Sequence, residues 1–176
     1  MCREAAILAC VCRAAAAAAP ASKWHSVVRI MRSGRVLEPA SGAFDVTVAP
    51  GGDVQAAVTA CPPGGCVLLL PGTHTGPLVL AAGKEVHVFG RGRATLRTAV
   101  GVTVTSDAAA ATCDGLVIRR EAGSGGSCAV WIKGGALRLQ ACDVTSASST
   151  CVTIHGGDPV LASCRCVLER APLRRI

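Results

Sequence analysis

Aromatic side chains are nearly missing from this chain of 176 residues, which has two Trp, two Phe and no Tyr. Its core must therefore be aliphatic, and a nucleic-acid surface built on base stacking has almost nothing to stack with. Acidic residues are also scarce. Six Asp and five Glu are spread thinly, without the clustered carboxylates that cleave glycosides or hold calcium. Long apolar runs are missing too. The best candidate, residues 5–19, is interrupted by Arg13 and falls short of the roughly 20 residues that span a bilayer. It also makes a poor secretory leader, because Glu4 lies in its n-region and Arg13 splits its apolar part.

What is present is hydrophobic, small and basic. Hydrophobic residues make up 51% of the chain, and the net charge is +7. The Arg residues are scattered and no recognition motif accompanies them, so neither nucleic acid nor a membrane is the expected partner. Eleven cysteines occur, at 2, 10, 12, 61, 66, 113, 128, 142, 151, 164 and 166. Several fall at inward positions of a repeat, where a thiol serves as a small hydrophobe. That usage points to a reducing compartment, cytoplasm or nucleus, with secretion as the alternative. Cys61 and Cys66, across the tight CPPGGC loop, are the best candidates for a disulfide, but the loop explains its own sequence without one.

The repeat is the strongest signal. WIKGGALRLQACDV (131–144) superposes on TIHGGDPVLASCRC (153–166) at an offset of 22 residues. Ile132 falls on Ile154, Gly134-Gly135 on Gly156-Gly157, Leu139 on Leu161, and Cys142 on Cys164. Short strands with inward–outward alternation run from Cys66 to Val167, among them Val86-x-Val88, Leu116-x-Ile118 and Val152-x-Ile154. Strands this short cannot stand alone, and the Gly-rich spacing between them leaves no room for long helices. The reading is an all-β, right-handed parallel β-helix of about four to five turns. Asp53 starts a short cap helix over 53–60, which plugs an end that would otherwise expose unpaired strand edges.

Register then places Leu116, Cys142 and Cys164 in one inward ladder and Ile118, Val144 and Cys166 in the next. The four extra residues between the first pair fit REAGSGGS (120–127), the loop expected to project. The division is a helical basic arm (1–35), a linker with a first strand (36–52), the solenoid (53–168) and a basic tail (169–176). Both ends read as truncated.

No residue is assigned to catalysis. Asp143 and Arg165 stack outward as a surface ion pair. Lys133 and His155 occupy equivalent corners one turn apart, forming a cation ladder. These four are the candidate ligand surface. His74 reads as structural. Cys10-x-Cys12 and Cys164-x-Cys166 have half the ligands of a zinc site, and on a strand both thiols of C-x-C face the core, so no metal or other cofactor is expected.

GDVQAAVTACPPGGCVLLLPGTHTGPLVL (52–80), followed by VHVFGRG, resembles the opening of the pectin-lyase-like β-helix superfamily. The later Gly-Gly turns resemble the repeats of carbohydrate-binding and sugar-hydrolase-type β-helices. The likeness spans about residues 44–168 and speaks for the fold more than for any activity. EAAILACVCRAAAAAAPASKWHSVV (4–28) resembles the second half of an F-box, with Val11-Cys12-Arg13 about a dozen residues before Trp24. The plainer alternative is an alanine-rich amphipathic helix or a degenerate leader. The F-box resemblance implies a non-catalytic substrate-recognition protein of the F-box/β-helix class. In it Ile7, Leu8, Val11 and Trp24 would dock a cullin–RING ligase adaptor subunit and the solenoid would hold a substrate protein. The alternatives are a secreted carbohydrate-binding or catalytically degenerate pectin-lyase-like protein, and a structural repeat fragment.

Overall fold

The computed structural model describes residues 29–31, 43–125 and 128–169. Asp53 caps a helix, α1 (Val54–Ala60), its carboxylate accepting from the Ala56 N–H at 2.9 Å. The helix buries Val54 and Val58 and stops where Pro62 and Pro63 follow Cys61. Beyond it the chain coils through three short faces per turn. The first carries β2 (Val46–Val48), β3 (Gly65–Leu69), the opening of β6 (Val86–Thr98) and the opening of β8 (Ala111–Arg120), then β10 (Leu137–Gln140) and β13 (Val160–Ala162). The second carries β4 (Gly72–Thr75), the later halves of β6 and β8, β11 (Asp143–Ser146) and β14 (Arg165–Leu168). The third carries β5 (Leu78–Leu80), β7 (Val104–Ser106), β9 (Cys128–Ile132) and β12 (Thr150–Ile154).

Among these strands every pairing is parallel and joins one turn to the next. This is a parallel β-solenoid of about six turns, not four to five. β2, ahead of the cap helix, and the partial turn β13–β14 supply the extra rungs. The expected ladders are present: β8, β11 and β14 pair so that Ile118, Val144 and Cys166 are in register, with Leu116, Cys142 and Cys164 two residues earlier on the same side. Val67, Val88, Cys113, Leu139 and Leu161 form another inward row, each buried. His74 is fully buried in register with Leu96, its Nε2 3.0 Å from the Leu70 carbonyl, as a structural residue should be.

Two expectations need correction. The segment 1–35 is not helical throughout, because Arg29–Met31 forms a strand, β1, parallel to β13. An open edge at β13 offers backbone partners to the β-branched stretch around it, and strand pairing wins there. Nor does the described part of the expected projecting loop, residues 120–125, stand free of the body. Arg120 is fully buried and donates to the carbonyls of Ala99, Glu121, Gly123 and Gly125. Gly101 N–H in turn donates to Ser124 and Gly125. The guanidinium thus gathers the loop onto the corner of the preceding turn.

At the N-terminal end, Gln55 serves as a one-residue substitute for a missing strand. Its amide accepts from Val79 N–H at 2.7 Å and donates to Val79 O at 3.2 Å. This satisfies the free edge of β5. Lys84 Nζ donates to the carbonyls of Thr59 and Cys61 at the C-terminal end of α1, which completes the cap.

Corners set the repeat. The turn from the third face to the first uses the second glycine of each Gly-Gly pair, Gly135 at φ +70° and Gly157 at φ +85°. A Cβ on Gly135 would collide with the Ala108 carbonyl oxygen. The next corner bends at Ala141 (φ +49°) and Ser163 (φ +54°), a conformation that strains any side chain. Substitutions at the two corners should therefore act in opposite directions. Gly135→Ala is expected to lower stability by roughly 2–4 kcal/mol through clash and backbone strain. Ala141→Gly should raise it by roughly 0.5–1 kcal/mol, the relieved strain slightly exceeding the entropic cost. Urea titration of the three proteins checks both signs.

Candidate binding flank

The outward row of the third face reads Val79, Thr105, Trp131, Thr153, one residue per turn. Period-2 alternation within CAVWI puts Val130 and Ile132 in the core and leaves Trp131 facing out, half-buried. Just beyond the strand ends, Asp107, Lys133 and His155 follow Ser106, Ile132 and Ile154 on successive turns, and all three are exposed. Lys133 and His155 therefore form the ladder expected at equivalent corners, and both converge on Trp131. Lys133 Nζ lies 4.7 Å from the centre of a Trp131 ring, and the His155 ring meets Trp131 edge-on at 5.4 Å. Sequence reasoning missed Trp131. The signal for it was an aromatic at an outward strand position, in a chain that has only two tryptophans.

Two polar atoms beneath this patch have no partner among the described residues. Trp131 Nε1 and Thr153 Oγ1 are both enclosed and unpaired, on adjacent rungs. A buried donor left unmade costs free energy, roughly 1–3 kcal/mol. Above them the patch presents the indole face of Trp131, the His155 imidazole and the Lys133 ammonium.

Asp143 and Arg165 are indeed in register and paired, Arg165 Nη1 to Asp143 Oδ2 at 3.3 Å. They lie on β11 and β14, in a different sheet from Trp131. The four candidate surface residues therefore form two separate pairs, not one site. With Arg165 74% and Asp143 39% exposed, their pair contributes little to stability. Two other acids also meet arginines: Glu121 with Arg97 at 3.1 Å and Glu169 with Arg119 at 3.0 Å. Among the described residues no three His, Cys, Asp or Glu side chains converge as metal ligands. Ile7, Leu8, Val11, Trp24 and the Cys10-x-Cys12 pair lie outside the described residues. No helix among those described is long and apolar enough to cross a membrane.

The thiols pack as core groups. Cys61 and Cys66 are free, not bridged, and burial, with help from the nearby Asp45 carboxylate, pushes both thiols up. Cys142 Sγ lies 3.3 Å from the Cys113 carbonyl oxygen, and its hydrogen bond with Cys164, with burial, holds it well above the ordinary thiol range. Cys164 and Cys166 are half-buried and pack against the core from one side of the strand, as C-x-C geometry requires.

No family model matches this chain, and neither does any curated protein or solved structure. Its assignment as a parallel β-solenoid rests on the strand pairing itself.

Burial pushes the Cys113 thiol from 9.0 up to about 12. In the unfolded chain this thiol ionises above pH 9, while in the folded chain it keeps its proton. The native state then binds more protons than the unfolded one, so stability falls as pH rises from about 9 to 12. The expected slope is about 1.4 kcal/mol per pH unit for this thiol. Urea midpoints taken in reductant at pH 8, 9 and 10 should show it, and Cys113→Val should make the decline shallower.

Proposed function

We propose that this chain is a non-catalytic recognition scaffold, with a protein ligand held on the solenoid flank around Trp131. The observation that carries the reading is the convergence of Lys133 and His155 on the outward, half-buried ring of Trp131. A partly desolvated Trp flanked by polar groups is the composition of a protein-binding anchor. The outward carboxylates that meet arginines, Asp143, Glu121 and Glu169, are occupied as ion-pair partners. That supports a binding role over acid–base work at those positions.

In its fuller form the proposal is a substrate-recognition protein of the F-box/β-helix type, working in the cytoplasm or nucleus. Ile7, Leu8, Val11 and Trp24 would meet the cullin–RING adaptor subunit, and the Trp131 flank would meet the substrate. The resemblance of residues 4–28 to part of an F-box supports this, as do the free, core-packed thiols, which suit a reducing compartment. A second reading, carbohydrate binding by a pectin-lyase-like scaffold, draws on the same outward Trp131, because sugar rings also stack on indole faces.

The two readings separate in solution. The chain mixed with purified adaptor subunit is expected to elute as a complex, and Val11→Asp should abolish it. A Trp24→Phe variant leaves Trp131 as the sole tryptophan reporter. Its emission should stay constant on titration with polygalacturonate. A saturating change there, with no adaptor complex, would replace the protein-recognition reading with the carbohydrate one.

A further inference from the structure

Among the described cysteines, Cys142 and Cys164 are the only two that share an inward column on adjacent rungs. Cys166 faces Val144, Cys113 faces Val88 and Leu139, and Cys128 faces Thr150. Cys142 and Cys164 stand one residue before the paired Asp143 and Arg165, and the Arg165 N–H donates to the Cys142 carbonyl at 2.9 Å. Each follows a corner residue in the left-handed region, Ala141 at φ +49° and Ser163 at φ +54°. Cys142 Sγ lies 3.3 Å from the Cys113 and Gln140 carbonyl oxygens, and Cys164 Sγ lies 3.4 Å from those of Leu139 and Ala162. The two thiols thus hold the same posture one rung apart, and they are hydrogen-bonded to each other.

Adjacent rungs place their Cα atoms about 4.8 Å apart, inside the roughly 4.4–6.8 Å that a disulfide spans. The Cβ atoms, at the same spacing, stand just beyond the usual range, so a bridge pinches the two rungs by about 0.5–1 Å. A bond closed under that tension is readily reduced again. The two thiols are not equivalent. Cys142 is fully enclosed, while Cys164 is half-buried. The hydrogen bond from Cys142 brings the Cys164 thiol below its ordinary value in spite of burial, whereas the same bond, with burial, holds Cys142 well above it. A sulfur that favours the thiolate, beside a partner that keeps its proton, is the arrangement of an attacking and a resolving thiol.

We propose that Cys142 and Cys164 are an oxidation site for hydrogen peroxide, joined by a reversible disulfide that ties the last turn to the turn before it. In the first step the Cys164 thiolate attacks one peroxide oxygen and the O–O bond breaks. The sulfur becomes a sulfenic acid, and the departing hydroxide recovers the proton that Cys164 released. In the second step the Cys142 sulfur attacks the sulfenic sulfur and the S–O bond breaks. The hydroxide leaves with the Cys142 proton, which the hydrogen bond already aims at Cys164. Two thiols lose two electrons and two protons, and one peroxide becomes two waters. A cellular dithiol reverses the change by exchange. The bridge closes a loop of about 22 residues, so oxidation stabilises the last turn. The site is separate from the Trp131 flank and stands whether or not that flank binds protein.

The test uses the full 176-residue chain, reduced, freed of reductant and treated with hydrogen peroxide near neutral pH. Free thiols are capped with iodoacetamide in denaturant. Disulfides are then reduced, and the thiols they release are capped with N-ethylmaleimide. Trypsin yields one peptide, 139–165, that carries Cys142, Cys151 and Cys164. N-Ethylmaleimide is expected on Cys142 and Cys164, and iodoacetamide on Cys151. The urea midpoint should rise on oxidation and return with dithiothreitol. Cys142→Ser keeps a hydrogen-bond donor beside Cys164 but cannot resolve, so Cys164 should accumulate as a sulfenic acid that dimedone traps. Cys164→Ser should leave Cys142 a thiol, with a urea midpoint that peroxide does not move. If either variant fails to fold, the label map of the parent chain still decides.

Any of three results would overturn the proposal. One is N-ethylmaleimide on Cys113 or Cys151 in place of either partner. Another is iodoacetamide on both Cys142 and Cys164 at peroxide doses that oxidise other thiols of the chain. The last is an equal yield of the Cys142–Cys164 bridge when peroxide is added to the urea-unfolded chain, since that bridge would owe nothing to the stacked rungs.

Discussion

Parallel pairing of each turn onto the next is the constraint from which the rest of this molecule follows. Backbone hydrogen bonds fix successive rungs at about 4.8 Å, so a side chain at one position lies directly over its counterpart one turn away. Inward rows must therefore be filled by groups that stack on copies of themselves without leaving voids. Val67, Val88, Cys113, Leu139 and Leu161 do so along one face. The narrow interior explains why aliphatics, alanine and thiols replace aromatics throughout, and why so many cysteines can be buried without forming bridges.

The same constraint creates the molecule's main difficulty, its ends. A coil of parallel strands stops with free N–H and C=O groups at each terminus. The first end is closed locally. Helix α1 covers the core, Gln55 meets the backbone of Val79, and Lys84 satisfies the last carbonyls of the helix. The far end receives an element from the other end of the sequence. β1 pairs with β13, while the β14 and β12 edges keep one-sided pairing among the described residues.

Stacking also builds the outer surface. Because equivalent positions recur every turn, residues about 22–26 apart in sequence become neighbours on a flank. Lys133 and His155 meet in this way, and each finds Trp131. Asp143 finds Arg165, and Arg119 reaches Glu169 across two turns. A solenoid of this kind can assemble a patch from single, widely spaced side chains, a useful property for a binding surface. It also spreads charge: the body is neutral, and the excess positive charge lies in the flanking segments.

The sequence by itself determined the coiled parallel sheet, the cap helix, the register of the Cys142–Cys164 and Val144–Cys166 ladders, and the Asp143–Arg165 pair. These features are periodic, and periodicity is local information that survives in one dimension. It was less informative where the pattern lapses. Ala111–Asp114, poor in branched residues, hid a strand, and β2 and the partial last turn, though read as strands, were not counted as rungs, so the turn count came out low. Only the tertiary structure decided that Arg120 folds its loop back onto Gly101, that Arg29–Met31 is a strand on β13, and that the four candidate surface residues split into two pairs. It also made Trp131 the centre of one of them. Those outcomes depend on which face each corner turns toward and on contacts between distant parts of the chain, which no single stretch of sequence encodes.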